Sequence, residues 1–340
     1  MKLLRRVRWS LVGVAAFFLV LVVGIYGWTT QSGYYALLPD NAHPAANVVH
    51  APGGKPPADG SGFYFVDVNE LQANLIQKLW AEHLVEGAQL VPDNQVLAPG
   101  QSDQEHITED ARAMTNSQQT AQVVAERALG KRVPIEKLGA QLLGVQPGDP
   151  AAKAGLKPGD IVTAANGRPV HTAGDLIRAM QPVKPGQSVH LTLTQAGNVT
   201  VGTIASTDHP PRALIGVSIG DAVHVGHIPI PVRFSTGSIG GPSAGLAFAL
   251  EIYDSLSGRH LLRGHKIAVT GELDLAGGVH EIGGVNQKTI GAINAGADTF
   301  LVPAGDNFKD ARRTAHCRIH VIAVTSFDQA LSVIRGLPPR

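Results

Sequence analysis

Ser243 lies in a glycine-rich turn, Gly240-Gly-Pro-Ser-Ala-Gly245, that runs straight into an apolar stretch with helical spacing at Leu246, Ala249, Leu250 and Ile252. Backbone amides at a helix start have no partner within the helix and point at whatever approaches. A serine there has two uses. It can cap the helix, which is the common use of a lone serine. Alternatively its hydroxyl can attack a carbonyl while nearby amides hold the oxyanion. Lys288 follows Gly283-Gly284 in the first turn of a helix predicted over 286–295, with Gly296 as its C-terminal cap. The positive end of a helix disfavours a cation, and burial lowers a lysine pKa. A lysine made neutral in that way can act as a general base. The alternative is an ordinary solvent-facing lysine.

Other chemistry-bearing residues point less far. His224 and His227, with His209 and Asp221 nearby, lack a carboxylate cluster to complete a metal site. His280-Glu281 is half of an H-E-x-x-H pattern, but position 284 is Gly. Cys317, the single cysteine, has no oriented base beside it and excludes an internal disulfide framework. The expectation is no metal and no cofactor.

The elements that position these residues follow from patterning. Four cations, Lys2, Arg5, Arg6 and Arg8, precede a run without charge from Trp9 to Pro39. Twenty residues, 9–28, form a helix about 30 Å long, the thickness of a hydrocarbon core. Trp9, Tyr26 and Trp28 stand at its ends. This predicts an uncleaved transmembrane helix with a basic cytoplasmic N-terminus (1–8) and an extracytoplasmic body in the cell membrane. A cleaved signal peptide is the competing reading, against which the length of the run counts. Beyond the first eight residues, 24 basic and 27 acidic side chains remain. That balance excludes nucleic-acid binding on electrostatic grounds. No G-x-x-x-x-G-K-[ST] segment occurs, so no nucleotide is expected.

Residues 29–62, rich in Pro, Gly, Ala and Asn, read as a tether. Residues 63–130 read as an intervening α/β region. It has a strand over 63–68, a helix over 69–86, a polar stretch over 92–112 and a second helix over 115–129 capped by Asn116 or Ser117. Residues 131–205 alternate short apolar runs with turn residues, as a small strand-rich module does. From 210 to 340 the pattern is α/β again. Strands are expected over 213–219, 228–234, 266–270, 299–303 and 319–324, with a terminal helix over 326–335.

Two resemblances sharpen this. Val145-Gln-Pro-Gly-Asp-Pro-Ala-Ala-Lys-Ala-Gly-Leu-Lys-Pro-Gly-Asp-Ile-Val162 strongly resembles a PDZ domain of the bacterial type. PDZ domains bind extended peptides by adding a strand to a sheet edge. The resemblance implies a groove at Leu138, Gly139, Ala140, Gln141 and Leu142. G-P-S-A-G at 241–245, followed by T-G-E-L-x-L-x-G-x-V-x-x-I-G-G-V-x-x-K at 270–288, resembles the Lon-type serine–lysine peptidases. It implies Ser243 as nucleophile and Lys288 as general base. Thr270 would orient the lysine amine, Glu272 lies in the matching segment, and amides of the Gly240–Ser243 turn would hold the oxyanion. The acidic residue usual just before that turn is Gly240 here.

The fold class expected is therefore α+β multidomain, with a transmembrane helix, a PDZ-like β-rich module and a Lon-type α/β proteolytic domain. The function expected is an ATP-independent serine endopeptidase acting on peptides or on unfolded or membrane-proximal proteins. The resemblance leaves a homo-oligomer open. The alternative is a non-catalytic, anchored peptide-binding protein.

Overall fold

The computed structural model describes residues 2–54, 60–98, 101–258 and 261–340, the side chains of 2–13 and 15 lying outside the description. The chain forms two compact units: everything up to Arg132 together with Pro229–Arg340, and Val133–Ile228.

The first unit begins with α1 (Lys2–Thr29), β1 (Gln31–Pro44), β2 (Val49–His50), β3 (Gly62–Asn74), α2 (Leu75–Leu84), β4 (Gln89–Pro92), α3 (Asp93–Val96) and α4 (Asp103–Ala128). The second unit is inserted there. It holds β5 (Ile135–Val145), α5 (Pro150–Lys153), β6 (Ile161–Ala165), β7 (Arg168–Pro169), α6 (Ala173–Met180), β8 (Ser188–Leu193), β9 (Gly197–Gly202), β10 (Ile204–Ala205), β11 (Ala213–Leu214) and β12 (Val217–Val225). The first unit resumes with β13 (Arg233–Phe234), α7 (Gly245–Leu256), β14 (Lys266–Val269), β15 (Glu272–Leu273), β16 (Val279–His280) and α8 (Val285–Asn294). It closes with β17 (Thr299–Pro303), α9 (Asp306–Ala315), β18 (His320–Val324) and α10 (Phe327–Gly336).

The first unit is built on a mixed sheet in the order β18-β17-β14-β3-β1-β4. β14 pairs parallel with β3 and β17, whereas β1 pairs antiparallel with β3 and β4. Side chains alternate between its faces. Phe63, Phe65, Ile267, Val269 and Leu301 join a core with α7, α4 and α10. Val66, Ala268, Phe300 and Val302 join another with α8 and α9. α7 is buried from Gly245 to Ile252, and its Phe248 ring meets Phe65 edge-on at 5.4 Å.

The expected tether and intervening region are parts of this body. Residues 31–44 form β1, whose long antiparallel pairing with β3 closes the sheet, so the Pro- and Asn-rich composition misleads. β3 runs to Asn74, through residues with helical apolar spacing, because pairing with β1 as far as Gln31↔Asn74 overrides local preference. α4 starts at Asp103, not near 115. Ser102 and Glu105 form a capping box, and Ser117 is a mid-helix residue.

The second unit also differs from the expected 131–205 boundary. It reaches Ile228 because β12 pairs with β5 from Val217↔Val145 to Val225↔Ile135. Its sheet runs β12-β5-β6-β8-β9 over a core that includes Leu142, Val162, Leu176 and Leu191.

The transmembrane expectation requires correction. Among the described residues no helix is long and apolar enough to cross a membrane. α1 runs from Lys2 to Thr29, and its side chains are described at 14 and 16–29. The side chains of the rest of the expected span, 9–13 and 15, lie outside the description. The described part is apolar and exposed nonetheless, from Phe17 to Val23 and at Ile25, Tyr26 and Trp28.

α8 approaches the sheet at backbone contact. A Cβ at Gly291 would stand 2.2 Å from the Asp40 carbonyl oxygen and 2.9 Å from Val66. Helix propensity alone favours Ala over Gly by about 1 kcal/mol. Overpacking against a backbone atom costs more, so Gly291→Ala is expected to destabilise by about 1–3 kcal/mol. Denaturant unfolding checks this; a stabilised variant would contradict the packing.

Candidate active site

Ser243 and Lys288 approach from opposite faces of the sheet and meet beyond the carboxyl end of β14. Ser243 lies two residues before α7, on the face covered by that helix. Lys288 lies on α8, on the other face, and its backbone N–H donates to Gly284 O at 3.0 Å. The segment after β14 ties the serine turn in place. Gly271 N–H donates to Ser243 O at 2.9 Å, and Leu246 N–H donates to Gly271 O at 3.2 Å. Ser243 does not cap α7: the N-cap residue is Ala244, with no side-chain hydrogen bond.

The Lys288 Nζ stands 2.5 Å from Ser243 Oγ. Lys288 is only 4% exposed. Burial pushes its amine down from 10.5 to about 8, while the charges of Asp67 and Glu70 draw it partly back. A neutral amine at that distance can accept the hydroxyl proton.

The supporting residues fall differently from expectation. Thr270 is fully buried, but its hydroxyl donates to the Ser243 carbonyl at 3.3 Å and not to the lysine amine. It therefore braces the serine turn. Glu272 is exposed on β15, opposite His280. The Gly241 N–H donates to Asp110 O at 3.0 Å, so that amide is engaged and does not serve an oxyanion in this arrangement. Among the described residues the amides of Ser243 and Ala244 have no acceptor.

Sequence reasoning gave only the later part of α4, from 115, and missed residues 103–114 and the placement of the helix along this turn. A Cβ at Gly240 would meet Asp110 Cβ at 2.9 Å, so the helix fills the space a side chain at 240 would need. One face lower, Ser117 Oγ donates to Pro242 O at 3.0 Å, and a Cβ at Gly245 would meet that same hydroxyl at 2.8 Å. Position 240 is therefore expected to tolerate no side chain. Gly240→Val displaces the serine turn and lowers cleavage more than it lowers stability, as paired activity and unfolding measurements would show.

α4 also carries His106, whose Nε2 stands 3.5 Å from Glu70 and 3.7 Å from Asp110. These three bring ligand-type atoms within 4.8 Å of one another, the one such group among the described residues. His209, His224 and His227 form none. The two carboxylates are each about 40% exposed, as in an ordinary charged triad. Burial pushes the Asp110 carboxyl up, and the nearby His106 draws it back. Cys317 is free and exposed.

In the inserted unit the residues expected to form the peptide groove lie on β5, an interior strand. Gly139, Ala140, Gln141 and Leu142 face Ala222, Asp221, Gly220 and Ile219 of β12 on one side. Ala140 and Gln141 face Val162 and Ile161 of β6 on the other. Ala140 and Leu142 are core residues, and Leu138 is exposed. Strand addition needs an unpaired edge, so the groove cannot be at 138–142. The sheet's edges are β12 and β9. β12 lies beside α6, its Asp221 carboxylate accepting from the Ala173 N–H at 2.7 Å.

Comparison with known proteins gives two family matches. A PDZ domain model matches residues 142–195. A model of the Lon protease (S16) C-terminal proteolytic domain matches residues 217–335. The chain carries a PDZ module and a Lon-type proteolytic domain. The second match begins in β12, which folds with the inserted unit; the strand pairing sets the structural boundary.

Among relatives, Lon protease 2 of Herpetosiphon aurantiacus is 36% identical over 95 residues, 27% of this chain and 11% of that protein. Lon protease 1 of Sorangium cellulosum is 29% identical over 174 residues, 47% of this chain and 20% of that protein. A probable periplasmic serine endoprotease, DegP-like, of Rhizobium meliloti is 33% identical over 138 residues, 39% of this chain and 27% of that protein. The chain thus matches only about a tenth to a quarter of these relatives' lengths. Of solved structures, the PDZ domain of the SdrC-like protein from Listeria innocua is 21% identical, with a TM-score of 0.22. The match covers 27% of this chain and all of that one.

Proposed function

We propose that this protein is an ATP-independent serine endopeptidase in which Ser243 is the nucleophile, Lys288 the general base, and the PDZ module recruits peptide or unfolded-protein substrates. The observation that carries this reading is a buried lysine amine 2.5 Å from a serine hydroxyl at a glycine-rich helix start.

The steps follow from that placement. Lys288 Nζ takes the Ser243 Oγ proton as the Oγ–carbonyl bond forms. The free amides of Ser243 and Ala244 and the start of α7 favour the negative oxygen. The ammonium then gives its proton to the leaving amine as the peptide bond breaks. Water then attacks the acyl carbon and gives a proton to Lys288 Nζ, and the ammonium returns that proton to Ser243 Oγ as the acyl–oxygen bond breaks. Thr270 holds the serine carbonyl throughout. Peptide is recruited by pairing with an edge strand of the inserted unit's sheet, β12 or β9.

Attachment to a membrane through α1, with the body outside the cytoplasm, belongs to this proposal. It is supported by the exposed apolar side chains of α1 and by the cations Lys2, Arg5, Arg6 and Arg8 before them. Retention in the pellet after carbonate extraction is expected, and release would remove the attachment. Nucleotide independence rests on the absence of a phosphate-loop motif from the sequence. The full chain, mixed with an unfolded protein in nucleotide-free buffer, is expected to cleave it at a rate that added ATP does not change. Strict dependence on ATP would overturn this reading.

A further inference from the structure

The Ser–Lys chemistry proposed above needs a place for the positive charge that Lys288 acquires each time it takes a proton. The amine is buried, so water cannot supply it. β3 lies beside this amine and outside both matched segments.

α8 faces β3 along a stripe formed by positions 284, 288 and 291. A Cβ at Gly284 would meet Val68 at 2.7 Å, and one at Gly291 would meet Val66 at 2.9 Å. Lys288 therefore rises from the stretch of helix lying over residues 66–68. Strand alternation sends Val66 and Val68 toward α8, and Asp67 toward the face of Phe63 and Phe65, where α7 and the serine turn lie. The parallel pairing of β3 with β14 ends at Val269↔Phe65, and the segment that follows β14 carries Gly271, whose N–H donates to Ser243 O. Asp67 thus projects on the serine side of a strand whose other side lies under the Lys288 stretch of α8.

We propose that Asp67 is a positioning residue for Lys288, the charge of its carboxylate stabilising, without a direct ion pair in this arrangement, the ammonium that forms when the lysine takes the serine proton. This rests on the Ser–Lys reading. The charges facing the pair are few. Lys288 feels Asp67 and, more weakly, Glu70. Glu70 is 41% exposed and lies 3.5 Å from His106, so solvent and that ring screen it. Asp67 in turn feels Lys288 and, from β1, Asp40 and His43. Burial pushes the Asp67 carboxyl up, and the Val68 N–H, 2.8 Å from Oδ1, and the Lys288 charge draw it back down.

The test titrates the two groups directly. The full chain is labelled with ¹³C at lysine Cε, and the Lys288 signal is assigned by its loss in Lys288→Met. The parent midpoint is expected near 8. Asp67→Asn is expected to lower it by about 1 on the pH scale, and Asp67→Glu to restore it. The acid limb of the cleavage profile should move the same way, which a purely structural role would not cause. Coupling is reciprocal, so Lys288→Met is expected to raise the Asp67 carboxyl midpoint, read from its own ¹³C signal even if Asp67→Asn does not fold. An unmoved Lys288 midpoint in Asp67→Asn, or an unmoved Asp67 midpoint in Lys288→Met, overturns the role. These readouts need no cleavage. If they move while Ser243→Ala cleaves like the parent, the pairing stands and the proposed chemistry falls.

Discussion

Ser243→Ala is expected to lower kcat/KM for peptide cleavage at least about a thousandfold while leaving the unfolding transition in place. The substitution removes one oxygen from a turn whose backbone is held by other bonds. Gly271 N–H and the Thr270 hydroxyl both bind the Ser243 carbonyl, and Ser117 binds the Pro242 carbonyl. The fold should therefore not notice the loss. Lys288→Met, which fills the same buried volume without an amine, should cost a similar factor. The double variant should be no worse than either, because a nucleophile and its base act as one unit. Parallel rate and unfolding measurements on the three variants check this. Additive losses would mean that the two residues serve separate steps.

The second large effect is on pH dependence. A general base must be neutral before it takes a proton, and the free-enzyme profile of kcat/KM reports that ionisation. With the Lys288 amine near 8, the active fraction falls about tenfold per pH unit below that value. Cleavage is therefore expected to rise with pH and level off above about 8, and to be roughly a hundredfold lower at pH 6. The direction follows from burial, which penalises the charged form and lowers the lysine from 10.5. Lys288→Arg should be inactive at every pH, since a guanidinium does not deprotonate in proteins. A profile already flat above pH 7 would point to a base with a lower midpoint, such as a histidine near 6.5.

Much of the site was legible because its signals are local. The glycine turn at 240–245 and the double glycine before Lys288 are short patterns tied to helix starts, and the structure places both at helix starts. What was illegible depends on partners distant along the chain. β1 looked like a tether because Gly33, Pro39, Asn41 and Pro44 obey composition rules, whereas its strand character comes from pairing with β3. The groove was misplaced onto 138–142 because β12, which covers β5, returns only after residue 216. Asp110 and Ser117 reach the serine turn across more than a hundred residues, most of them the inserted unit. One signal could have been found: Ser102 and Glu105 have capping-box spacing, which starts α4 where the polar stretch seemed aperiodic.

The most direct test of the account is covalent. The full chain at pH 8 is treated with a serine-directed acylating reagent, and the adduct is located by peptide mass spectrometry, with Lys288→Met treated alongside. The account predicts one acyl group on Ser243 in the parent and none on Ser243 in the variant over the same time. Acylation of Ser243 at equal rates in both proteins would contradict the assignment of Lys288 as its base. Acylation of another residue in the parent, with Ser243 untouched, would contradict the site itself.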